Sequence, residues 1–249
     1  NYSMERDASL RDCDDLLYRG ERLGAQRCYS SLLSNSADVR VQAEVAWSLS
    51  DLKSANTHFQ SAVKLYPEDP YVRARWGYLF HATHQDNEAV KLFQEALELD
   101  PEFIAAKLGL AKVSAGRFEP RARAWVDEVL AEDGEALEAH LLLARMDLED
   151  GAIDRADELL DRALKIAESK GLPPLEIYAL KASVDLLRGV TDSSWTSRSL
   201  EFNASYGEIY ATQAHFYVIT RRYREAISLL RQAVELQPDL WSAHAELGA

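Results

Sequence analysis

Residues 71–101 read YVRARWGYLFHATHQDNEAVKLFQEALELDP. Trp76-Gly77 and Phe80 share one stripe of a first helix, and the polar run from His84 to Asn87 reads as a turn. Ala89, Phe93 and Ala96 share one stripe of a second helix, which Pro101 ends. Spacings of three and four put such residues on one face, and proline, lacking a backbone donor, suits a break between units. Gly77 and Ala89 are small enough for two antiparallel backbones to approach closely. Phe93 and Ala96 are then expected to meet the first helix of a following unit.

The pattern returns. Ala55, Phe59, Ala62 and Pro67 precede Ala89, Phe93, Ala96 and Pro101 by 34 residues, and the same grammar reappears at Ala226, Leu230, Ala233 and Pro238. Pro238 lies 137 residues after Pro101, one more than four times 34, so the third copy is almost in phase. A fixed period of this length marks a row of identical supersecondary units, each leaning on its neighbours.

Here the chain resembles the tetratricopeptide repeat family, whose pattern is an aromatic or Leu followed by a small residue, a later aromatic, then Ala, an aromatic, Ala and Pro. The resemblance implies an all-α fold, a right-handed superhelix (α-solenoid) of antiparallel helix hairpins. Its expected units are 6–35, 36–69, 70–103, 104–136, 137–170, 175–206 and 207–240, with part of an eighth at 241–249, all in one domain spanning 1–249.

Several units depart from the pattern. In the fourth, Pro120 opens the second helix. The fifth has no closing Pro and runs on through Ser169-Lys170-Gly171 to Pro173-Pro174. The sixth carries Trp195, Ser199 and Phe202 where Ala, an aromatic and Ala are expected, and a Trp at a close-approach site should push helices apart. The first aligns loosely through Cys13, Gly20, Ala25, Tyr29 and Leu32. The last residues, Leu247-Gly248-Ala249, repeat the Trp76-Gly77 signal without a second helix, so the sequence reads as a piece of a longer protein, with an uncovered end open to self-association. It begins at Asn1 rather than Met, which reads as a processed or trimmed start.

The chain has 249 residues, 47% of them hydrophobic and 28% charged, with a net charge of −13. No apolar run approaches the ~18 residues of a membrane span, and no signal peptide is visible. A soluble protein is expected, of the cytoplasm or a bacterial periplasm. Nucleic-acid binding needs a basic face, and only Arg221, Arg222 and Arg224 cluster. From Glu119 to Asp161 there are 14 Asp or Glu against 4 Arg, a local −10 that would attract a basic partner or simply be a solvated helix face. The two cysteines, Cys13 and Cys28, are too few for a disulfide scaffold or a cysteine zinc site. A chain reversal near Gly20 would bring them together. Two buried thiols are expected over a bridge, because a bridge also needs matching Cβ directions.

In the resembled family the first helices line a concave groove. By that resemblance the groove residues are Arg40, Glu44 and Trp47; Tyr71, Tyr78 and His81; Leu108 and Lys112; Leu141, Arg145 and Leu148; and His215, Val218 and Ile219. Aromatics and Arg there would anchor an extended peptide or a docked helix, or else pack on neighbouring helices. Family members that grip a C-terminal carboxylate converge several donors on it. Arg40 and Arg75 would contribute here, but Glu44 stands where Asn is expected and Ala105 where Lys is, and a carboxylate beside the anion would repel it.

Nothing in the sequence points to catalysis. Of His58, His81, His84, His140, His215 and His244, only His81 and His84 lie close in sequence, with Asp86 as the one further local ligand. No phosphate loop or nucleophile elbow is present. No metal and no cofactor is expected. Asn203-Ala204-Ser205 and Asn1-Tyr2-Ser3 match the glycosylation acceptor pattern. The function expected is a non-enzymatic scaffold that binds a protein or peptide partner in the groove. The alternative is the non-catalytic repeat region of a larger enzyme.

Overall fold

A computed structural model describes residues 7–248. Among them the fold is all-α, without strands. The chain forms two compact units, 1–136 and 137–249.

The first unit holds four antiparallel hairpins. These are α1 (Arg11–Tyr18) with α2 (Arg22–Asn35), α3 (Val39–Ser48) with α4 (Leu52–Leu65), α5 (Pro70–Ala82) with α6 (Asp86–Leu99), and α7 (Ile104–Gly116) with α8 (Arg121–Glu132). The second unit holds α9 (Leu137–Glu149) with α10 (Ile153–Lys170), α11 (Leu175–Leu187) with α12 (Ser194–Phe202), and α13 (Glu208–Ile219) with α14 (Tyr223–Leu236), then α15 (Trp241–Gly248).

Each of these hairpins turns through one left-handed residue: Gly20, Ser50, His84, Phe118, Gly151, Gly189 and Arg221. Beside each runs a backbone bond from the next residue to the carbonyl five positions back, as from Gln85 to Phe80 (2.8 Å) and from Asp51 to Ala46 (2.9 Å). This is the helix-ending motif in which a single left-handed residue satisfies the last open carbonyls. Asp38, Asp51 and Asp69 cap α3, α4 and α5 by accepting from Arg40, Ser54 and Tyr71 backbone N–H groups.

The repeated small residues are buried: Ala55, Ala62, Ala89, Ala96, Ala226 and Ala233 all lie in the core with Phe59, Phe93 and Leu230. Phe93 shows why glycine is needed. A Cβ on Gly77 would lie 2.8 Å from its ring, and one on Gly109 2.7 Å from Cδ1 and closer still to Cε1 and Cζ. The α6 ring therefore fits between two first helices that are stripped of side chain at the contact.

One expectation is corrected. Cys13 and Cys28 form a disulfide, with Cα atoms 5.4 Å apart, rather than two buried thiols. Gly20 reverses the chain midway between them, and α1 and α2 then bring both Cβ atoms to the same side. In the sixth unit α12 is only nine residues long, Trp195 is half-buried with its ring 5.5 Å from that of Tyr178, and α11 packs directly on α13. The final residue of the expected eighth unit, Ala249, and the Asn1-Tyr2-Ser3 triplet lie outside the described residues.

Candidate functional site

In the first unit, α3, α5 and α7 bring three of the expected residues, Trp47, Tyr78 and Lys112, into one run with Arg75. Trp47 packs edge-on against Phe59 (6.5 Å). The Arg75 guanidinium lies over the Trp47 ring (5.1 Å) and the Tyr78 ring (5.6 Å). Tyr78 in turn packs edge-on against Phe93 (5.1 Å), donates its hydroxyl to the Ala105 carbonyl (2.7 Å) and carries the Lys112 ammonium over its face (5.2 Å). Cations over aromatic faces are attracted by the ring quadrupole, more so when partly desolvated.

Glu44, also expected on this face, is not open to solvent: it is 1% exposed. Its two oxygens accept from Arg75 Nε (2.6 Å) and Nη2 (3.0 Å). Burial alone would lower the Arg75 pKa, but the Glu44 charge and hydrogen bonds raise it above its ordinary value. Arg40 is half-buried over Tyr66 (4.2 Å) and bonded to Asp38 (2.8 Å) and Asp69 (3.2 Å). Its hydrogen bond to Asp38 raises the Arg40 pKa and lowers that of Asp38.

His81 sits at the turn end of α5 and bonds Asp86 through Nδ1 (2.7 Å), while His84 is the left-handed turn residue. Among the described residues no group of three His, Cys, Asp or Glu is placed to hold a metal ion. Tyr71 is half-buried and Leu108 is buried.

In the second unit, Leu141 and Leu148 are buried in the core of α9 and α10. Arg145 reaches Glu176 (3.7 Å), and His215 Nε2 meets Glu149 (3.0 Å). Val218 and Ile219 are exposed at the end of α13. Asn203, in the second glycosylation triplet, is buried, with its side-chain oxygen accepting from the Ser205 backbone (3.0 Å) and hydroxyl (2.9 Å). That geometry turns the side chain inward rather than toward a glycan.

The sequence reading missed the buried lysines. Lys107 on α7 is ringed by Glu102 (3.3 Å), Glu128 (3.8 Å) and Glu132, and its hydrogen bond to Glu132 raises its pKa despite burial. Lys181 on α11 bonds Asp157 (2.6 Å) and Asp161 on α10, while Arg188 bridges Asp154 and Asp157 (2.7 Å each). A spacing signal exists only for the pair Glu44 and Arg75, which are 31 residues apart on adjacent first helices, one helical turn short of the 34-residue period.

Stacked helix hairpins with an aromatic and cationic run along their first helices define a helical-repeat protein. Residues 40–102 and 207–240 match models of the tetratricopeptide repeat. The chain belongs to the tetratricopeptide repeat family.

Among curated proteins, human protein O-mannosyl-transferase TMTC1 is 24% identical over 166 residues, 66% of this chain and 19% of that protein. The chain thus spans about a fifth of that relative's length. Three solved structures share the fold. The APC/C hetero-tetramer Cut9–Hcn1 has a chain matching at TM-score 0.67 and 17% identity, covering 96% of this chain and 48% of that one. Yeast Tom70 matches at 0.58 and 18%, covering 91% and 49%. A tetratricopeptide repeat protein from Parabacteroides merdae matches at 0.58 and 11%, covering 99% and 98%. No helix among the described residues is long and apolar enough to cross a membrane.

Proposed function

We propose that the chain is a protein-interaction scaffold, and that the first-helix face of α3, α5 and α7 receives a segment of a partner protein. One observation carries this reading: the run Trp47, Arg75, Tyr78, Lys112, in which rings and cations alternate along adjacent helices. Rings already fixed by packing offer large contact area at little entropic cost, which is how anchoring positions work at interfaces. The partner segment is basic or uncharged, since residues 1–136 carry 23 Asp and Glu against 16 Lys and Arg, and the remainder 18 against 12. Exposed Trp241 on α15, with Ile227 on α14, makes that end of the second unit a candidate for self-association.

The test is site-specific photocrosslinking in the native source. A photoreactive phenylalanine at 47, 78 or 112 is expected to capture one shared partner, and the same probe at Leu52 or Glu95, on second helices, is not. Capture from the second helices alone would overturn the assignment.

A second reading concerns the larger chain. The match of two thirds of this chain to a fifth of a transferase favours a repeat region working beside a catalytic domain. Reading the full-length gene tests it: a catalytic domain elsewhere in the protein supports the reading, and a gene without one overturns it.

A further inference from the structure

Arg75 stands midway along α5 with its guanidinium over the Trp47 ring (5.1 Å) and the Tyr78 ring (5.6 Å). An arginine held over aromatic rings in this way, with its fork presented edge-on, is shaped to receive a carboxylate in two parallel hydrogen bonds. Here the fork is filled from within the chain. Glu44 reaches across from α3 and takes both bonds, and the two side chains are 1% and 7% exposed. Tyr78 is braced as well, because its hydroxyl is bonded to the Ala105 carbonyl on the next first helix. Arg40, the neighbouring guanidinium, is likewise taken by Asp38 and Asp69.

We propose that Glu44 is a specificity-determining residue: it acts as an internal ligand of Arg75, occupying the place of a partner's carboxylate, so that this face takes segments bringing no acid to that point. The inference rests on the docking role proposed for this face, which the crosslinking experiment tests separately. It also makes a prediction about the isolated protein that needs no partner.

Glu44→Ala leaves a void the size of a small carboxylate beside a buried guanidinium. Thermal unfolding is followed in sodium acetate and in sodium chloride at matched ionic strength. The variant is expected to unfold at lower temperature than the parent in chloride, and acetate at ten times its dissociation constant should restore about 3–6 °C. The double variant E44A/R75M, which has no buried charge to satisfy, should show no acetate effect beyond that of the parent protein. If E44A does not fold in chloride, refolding yield in the two salts is measured instead, with the same expected order.

N-acetyl-trialanine as free acid and as amide supplies the ligand test. By NMR titration E44A should prefer the acid by roughly tenfold or more, as a charge-assisted bidentate pair allows, while the parent protein shows no preference. An E44A response equal in acetate and chloride, an acetate response in the double variant equal to that of E44A, or a parent protein that takes the acid as E44A does would overturn the proposal. Any of these results leaves the crosslinking outcome untouched, so the two readings fail independently.

Discussion

Gly109→Ala should destabilise the first unit although alanine is the better helix former. Alanine in place of a mid-helix glycine gains roughly 0.5–1 kcal/mol. Against this, the new methyl would lie 2.7 Å from Phe93 Cδ1 and closer to two further ring atoms. Phe93 is fully buried, with the Tyr78 ring edge-on against it and Gly77 on α5 also at its face, so the ring has nowhere to swing. Overpacking a filled core costs about 1–3 kcal/mol, and an overlap with three ring atoms belongs at the upper end, leaving a net loss near 2 kcal/mol. Phe93→Ala alone should cost about 3–5 kcal/mol through lost burial and the cavity left behind.

The double variant separates the effects. Without the ring, the methyl added at position 109 meets empty space, and the helix-forming gain survives. G109A/F93A should therefore be more stable than F93A by about 0.5–1 kcal/mol, rather than less stable by the cost of G109A alone. Urea unfolding by far-UV circular dichroism measures this, with hydrogen exchange of α5–α8 amides as a local readout, because stacked repeats lose two-state behaviour. A G109A variant as stable as the parent, or costs that add within about 0.5 kcal/mol, would refute the claim that ring and glycine share one space.

Two further outcomes follow from the hairpins. The unreduced, denatured protein should show no reactive thiol, and reduction should reveal two. Opening a bridge with a sequence separation of 15 should cost roughly 3 kcal/mol on the chain-entropy account and speed hydrogen exchange across 11–35, whereas two thiols in unreduced protein would refute the pairing. Phe118 is 79% exposed and left-handed, with φ of 55°. Phe118→Gly should relieve about 1–2 kcal/mol of backbone strain at a cost of about 0.4–1 kcal/mol in unfolded-state entropy, raising the thermal midpoint; a lowered midpoint would show that the ring has a role in the fold.

The helix pairs are legible in the sequence because their signals are local and repeated. Ala55, Phe59, Ala62 and Pro67 announce a second helix and its end without reference to the rest of the chain, and every later copy reinforces the first. What is not legible depends on direction in space. Whether Cys13 and Cys28 bond turns on where two Cβ atoms point after the reversal at Gly20, and spacing along the chain tells only how far each lies from that turn. The period places Trp195 at a close-approach site, but that the helix carrying it is only nine residues long is not marked by any local signal. Glu44 is expected on the first-helix face and is hostile to an anion there, yet its partner escapes the sequence reading. The consensus pattern marks small and apolar positions, while the 31-residue spacing that joins Glu44 to Arg75 falls between them.

A periodic apolar core raises a difficulty that these polar pairs resolve. Where hairpins bury Ala, Phe or Leu and Ala at the same positions, as those of α4, α6 and α14 do, apolar packing alone tells neighbours apart poorly. At two junctions buried charge distinguishes them. One period after Glu44 the chain has Tyr78, and one period after Arg75 it has Gly109. Stacking the α3 hairpin directly against α7 would therefore set the Glu44 carboxylate against a glycine and strand Arg75 elsewhere. A buried charge without its partner costs several kcal/mol, whereas the matched pair is close to neutral. The ion pair thus adds little to the stability of the correct stack and much to the cost of the wrong one. The same logic covers Lys181, whose carboxylates come from Asp157 and Asp161 one helix earlier: the apolar residues make the hairpins stick, and the charges decide which neighbour each accepts.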